Sequence, residues 1–169
     1  MLTAALTVKL LRSILVDYNY WPSDGDSPLN VSRHRRKLTE ETILSRDAAA
    51  RRASEKDSGV LYKPPKRQIE IKTLDETFNP LVIDALAVVQ SVTQEVEDGE
   101  AELEHLQLPI EKSEFFIQLY GAFNQLENPK VYYVFDIDGV ISNPYIGLYI
   151  TAESSDGVVV AQTLIQNDN

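Results

Sequence analysis

Apolar residues recur along this chain at two spacings, and the switches between them outline its elements. Leu2, Leu6, Leu10 and Ile14 repeat at helical spacing, with Leu11 and Leu15 widening the stripe. The chain therefore opens on an amphipathic helix with one buried face. Tyr, Trp, Pro, Asp and Gly crowd residues 17–28, where Pro22, Gly25 and Pro28 predict a loop, and 29–32 begins a short strand. Ile69 and Ile71 alternate with polar residues over 68–72, the period of a strand. Val82, Leu86, Val89, Val92 or Thr93, and Val96 make a helical stripe over 81–96, and Asn79-Pro80 suits its N-terminus. After an acidic loop around Gly99, residues 113–126 form a second helix with Phe116, Leu119 or Tyr120, Phe123 and Leu126 inward. Glu111 and Glu114 favour its N-terminal dipole, and Asn128-Pro129 ends it. Three runs rich in Val, Ile and Tyr, 131–135, 145–151 and 157–165, read as strands. Ser155-Asp156-Gly157 joins the last two as a tight hairpin. The whole predicts an α+β fold: a mostly antiparallel sheet that ends in a C-terminal meander, with helices on one or both faces.

Residues 33–67 break the pattern. Arg33, Arg35, Arg36 and Lys37 cluster, residues 39–58 have almost no large apolar residue after Leu44, and Pro64-Pro65 interrupts the chain. Ala48, Ala49, Ala50 and Ala53 offer little to a core. The segment reads as a basic surface arm, partly helical or disordered, on a single domain spanning 1–169. Hydrophobic residues make up 43% of the chain, enough for a packed core rather than global disorder. The formal charge is −10, unevenly spread. Residues 1–74 hold 14 Lys/Arg against 9 Asp/Glu, and residues 75–169 hold 2 against 17. An acidic C-terminal surface suits a basic protein partner and argues against direct nucleic-acid binding. With no Cys there is neither a disulfide framework nor a thiolate metal site, which points to a reducing, cytoplasmic compartment. No apolar run approaches the roughly 18 residues of a membrane span, and 2–16 lacks the features of a signal peptide.

The most enzyme-like motif is Asp136-Ile137-Asp138-Gly139-Val140, at the end of an apolar strand. It resembles the first motif of haloacid dehalogenase phosphatases, where the first Asp is the nucleophile and the second the general acid/base. Lys130 is the last Lys or Arg, so a downstream cation for the phosphate is missing, and the residues that follow read as a hairpin. A phosphatase is thus the remote alternative, and the plain reading is a strand-end turn. His34 and His105 have no ligand-like spacing partner. No catalytic residue, metal site or cofactor is assigned, and the chain is read as a non-enzyme. Asp24-Gly25-Asp26 lacks the further oxygen ligands of a calcium loop. Tyr18, Tyr20 and Trp21 precede it, and aromatics beside carboxylates suit partner anchoring, with Trp21 as a core plug the other reading.

The segment Ser23-Asp24-Gly25-Asp26-Ser27-Pro28-Leu29-Asn30-Val31, after an amphipathic helix, resembles the Ser-acid-x-acid-x-Pro-apolar-x-Val segment of the nuclease A inhibitor family. Asn128-Pro129-Lys130-Val131-Tyr132 resembles that family's Asn-Pro-x-Val-Tyr step into its final sheet, and the closing hairpin from Tyr149 through Gly157 to Thr163 is also similar. Residues 71–78 match its middle strand loosely. The resemblance implies an α-β-α sandwich and an inhibitor that occupies the active site of a Mg²⁺-dependent, sugar-non-specific nuclease. It also implies that Asp24, with Asp26 beside it, and the C-terminal Asp168 and Asn169 contact the partner. Two departures stand out. The family ends in Thr where this chain has Asn169, and Asp24 is one methylene shorter than the family's Glu. The alternative is a non-enzymatic assembly subunit that uses the acidic sheet and the basic arm.

Overall fold

The computed structural model describes residues 2–23, 27–59, 61–137 and 145–166. Its centre is a five-stranded sheet of β3 (Asn30–His34), β4 (Arg67–Lys72), β5 (Glu127–Asp136), β6 (Tyr145–Ser154) and β7 (Gly157–Gln166). The strand order is β3-β7-β6-β5-β4, and every neighbouring pair is antiparallel. The predicted meander is β5-β6-β7. A two-stranded ribbon, β1 (Tyr20–Trp21) with β2 (Ser27–Pro28), occupies part of the stretch read as loop. Helices α1 (Ala4–Asp17), α3 (Leu74–Glu97) and α4 (Gln107–Asn124) cover one face, and α2 (Glu40–Ser54) covers the other. The fold is α+β.

Burial on both faces explains the unbroken apolar run at 158–161. Val159 and Ala161 face the three-helix side with Leu148, Ile150 and Val131, while Val158 and Val160 face α2 with Tyr132, Val134 and Tyr149. Register keeps like with like: Val131 opposes Ile150, and Tyr132 opposes Tyr149. A one-residue slip would exchange the two cores. The hairpin turn at Ser155-Asp156 is as predicted, but its glycine serves a further purpose. Gly157 has φ +136° and lies so close to β3 that a Cβ would sit 2.6 Å from the His34 carbonyl oxygen. Pro129 is tolerated because β5 is irregular there: the register shifts between Glu127 and Lys130, and Asn128 takes φ 50°.

Four expectations change. First, 33–67 is not a surface arm. Helix α2 buries Ile43, Asp47, Ala48 and Arg51 against the sheet, and Tyr62 beyond it is also buried. Small Ala48 brings the helix close, and charged residues fill what apolar ones do not. Second, the inward face of α1 is Ala4, Thr7, Val8 and Leu11, so Leu6 and Leu10 face outward. A helix apolar nearly all round offers two stripes. The one used has its N-terminus held by the Asp156 carboxylate, which accepts from the Ala4 and Ala5 amides at 2.6 and 3.1 Å. Third, α3 begins at Leu74, seven residues before 81. Thr73 and Glu76 form a capping box, and Leu74 and Phe78 are buried, which offsets the backbone bond lost at Pro80. Of the stripe predicted for this helix, Val82 packs against the core, but past Ala85 no residue of α3 is buried. Fourth, α4 begins at Gln107 and takes Pro109 in its first turn, while Phe116, Leu119, Phe123 and Leu126 lie inward as expected.

Candidate functional site

One end of the sheet gathers the sequence features that looked functional. Register places Arg67 opposite Asp136, Tyr145 opposite Gln166, and Asn30 opposite Gln162. The start of β3, the end of β5, the start of β6 and the end of β7 therefore share that end. The β1–β2 ribbon lies there too, against β7. Trp21 opposes Ser27, the Ser23 and Ser27 hydroxyls are 3.2 Å apart, and the Leu29 amide donates to Asn19 Oδ1 at 3.1 Å. Between the ribbon, α2 and β7 runs a groove of about 470 Å³ whose walls include Pro28, Asn30, Ala53 and Gln162. Asp24, Asp26, Asp168 and Asn169 themselves lie outside the described residues. Of their described flanks, Ser27 lines the groove together with Thr163 and Leu164 of β7.

Trp21 is corrected from partner anchor to core residue. It is 4% exposed and meets Phe78 and Phe116 edge to face at 5.6 and 5.9 Å. Each such pair contributes about 0.5–1.5 kcal/mol beyond area burial. The exposed aromatic of the ribbon is Tyr20.

Asp136, first residue of the phosphatase-like motif, ends β5 inside a network that composition and periodicity do not reveal. Arg51 Nη1 lies 3.0 Å from Asp136 Oδ2, and the Tyr62 hydroxyl donates to both Asp136 oxygens at 2.9 and 3.1 Å. The same guanidinium lies 3.0 Å from Asp47 through Nε, and its Nη2 donates to the Val134 carbonyl at 2.9 Å. Arg67 reaches Asp47 at 3.5 Å and donates to the Leu44 carbonyl at 2.7 Å. The Tyr149 hydroxyl donates to Asp47 at 3.3 Å. Arg51 and Asp47 have no exposed side-chain surface. Burial pushes the Asp47 carboxyl up, against the lowering effect of Arg51 and Arg67. Burial, then the bond to Asp136, pushes the Tyr62 phenol up to about 12, so it stays a donor across the physiological range. Gly147 makes room for this: a Cβ there would collide with the Asp47 carboxylate. With both oxygens engaged by a cation and a phenol, Asp136 ties β5, α2 and the segment before β4 together. Asp138 and Gly139 lie outside the described residues.

Sequence reasoning missed Asp47, Arg51, Tyr62, Tyr149 and Gly147. The available signal was an i,i+4 Asp–Arg pair on a helix with too few apolar residues to hold itself to a sheet. Among the described residues no three His, Asp or Glu side chains lie close enough to hold a metal ion. His34 Nδ1 lies 2.7 Å from the Arg36 carbonyl oxygen, and His105 Nδ1 accepts from the Glu102 amide at 3.0 Å, so both serve local structure.

The charge asymmetry maps onto the two faces. Arg33, Arg35, Arg36, Lys37, Arg52 and Lys56 are exposed around β3 and α2. The acidic part is helical rather than a sheet: residues 74–124, the α3–α4 pair, hold 11 Asp/Glu and 1 Lys/Arg. No helix is long and apolar enough to cross a membrane among the described residues. No protein-family model matches the chain, and no curated protein matches it.

Proposed function

We propose that this protein is a non-enzymatic inhibitor that blocks a Mg²⁺-dependent, sugar-non-specific nuclease. It would present residues 24–26 and residues 167–169 to the nuclease cleft. The observation that supports this reading most is the shared end of the sheet. Ser27 and Pro28 on one side and Thr163 and Leu164 of β7 on the other are far apart in sequence and line one groove. A nuclease cleft is positively charged for its phosphate substrate, so carboxylates on a loop can take the place of phosphates. Asp24, Asp26 and Asp168 are the carboxylates of those two segments. No cofactor is required. A non-enzymatic assembly subunit is the second reading, and the acidic, partly apolar α3–α4 pair favours it. A free basic arm no longer contributes to it, because α2 is packed on the sheet.

The test is inhibition of a nuclease of that class from the protein's own source. Asp24→Ala combined with removal of residues 167–169 is expected to weaken inhibition at least about a hundredfold, as loss of centrally placed charged contacts does. Unchanged potency would sink the reading.

A further inference from the structure

Helices α3 and α4 pack antiparallel, with Asp75 accepting from the Tyr120 hydroxyl at 2.6 Å near one end of the pair. Towards the other end their shared surface opens into a groove of about 330 Å³. Leu81, Ala85 and Val88 line it from α3, Leu108 and Phe116 from α4, and Pro22 from the ribbon. Phe116 and Ala85 form a buried floor, at 0% and 5% exposure, while Val88 and Leu108 stand open at 50% and 62%. Val89, Val92 and Val96 continue along α3 without reaching burial. A helix this apolar, left half in water over its last three turns, is a surface made for a partner.

The rim says what kind of partner. Asp84 and Lys112 both line the groove, and Glu95, Glu97, Asp98, Glu100, Glu102 and Glu104 are exposed along the end of α3 and the segment that leads to α4. Lys112 is the single cation of residues 74–124. Two copies of this surface face to face would set one acidic rim against another, which costs rather than gains. Nucleic acid and anionic lipid headgroups are repelled for the same reason.

We propose that the α3–α4 groove docks an amphipathic helix of a partner protein, apolar residues seated between Val88 and Leu108 and Lys or Arg along the flanks. Apolar anchors repeating at i, i+3, i+4 and i+7 would fill the groove, and the rim would steer and orient the helix. The proposal holds whether or not the partner is a nuclease.

A fluorescent helical peptide of Leu and Lys, about 18 residues long with its leucines on one face, tests this by anisotropy. Val88→Asn with Leu108→Asn changes no charge, touches only exposed side chains, and is expected to weaken binding at least about tenfold. A permuted peptide with leucines all round should bind the wild type about as weakly, and Lys112→Glu should bind the amphipathic peptide more tightly. Thermal melts confirm that the variants stay folded. Equal binding of the two peptides, or an unaltered affinity in the double variant, would reduce the effect to bulk charge and overturn the proposal. So would a stable dimer of the protein that the double variant dissociates, since a second copy would then be the occupant.

Discussion

Replacing Arg51 with Met would leave the buried Asp47 carboxylate with only Arg67 and Tyr149, and would take the cation from Asp136. Removing one member of a buried pair costs about 3–5 kcal/mol, far more than an exposed pair is worth. Urea unfolding of Arg51→Met is expected to show a loss of that size. A loss below about 1 kcal/mol would mean that water reaches the network. Asp156 acts on the opposite side of the molecule and through a different sign. The Ala4 amide, then Ala5 and the Arg33 guanidinium, hold its carboxyl below the usual range. A depressed folded pKa brings stability that is complete above the unfolded value, near 3.9, and is lost as pH falls through the lower folded one. Wild type should therefore be more stable than Asp156→Asn at neutral pH, with the gap closing in unfolding titrations as pH falls through the folded pKa. A gap that widens on acidification would contradict the capping role.

At the scale of elements, legibility follows the kind of force that holds each piece. The strands of the meander and α4 are readable because Val, Ile, Tyr and Phe repeat at the period of the structure they form. Helix α2 is not, because half of its buried stripe is Asp47 and Arg51, which any hydrophobic pattern scores as solvent-facing. For α3 the misleading residue is Pro80. The start was readable from Thr73-x-x-Glu76, a capping box that outweighs a proline one turn further in. Amide hydrogen exchange separates a packed α2 from an arm. Amides of residues 43–51 are expected to exchange as slowly as those of α4, and those of 89–97, at the unburied end of α3, markedly faster. Fast exchange throughout α2 would put the segment back on the surface.

At the scale of the whole molecule, the opposed charges of the two parts of the chain are visible in the sequence, and the structure turns them into surfaces. Basic side chains lie around β3 and α2, and acidic ones on α3–α4. The meeting of the ribbon with the end of β7 is not visible. It depends on β3 pairing with β7 across some 130 residues, a register that no local pattern encodes. That meeting puts Ser27 and Pro28 beside the late residues of β7, and it is what the proposed inhibitor rests on. The central claim is tested most directly by titrating a purified Mg²⁺-dependent, sugar-non-specific nuclease from the same source with this protein and following DNA and RNA cleavage. The account predicts that both activities fall together and vanish near one equivalent, as for tight one-to-one binding, with association slowed by added salt. Undiminished cleavage at about a tenfold excess of the protein, at low salt, would contradict it.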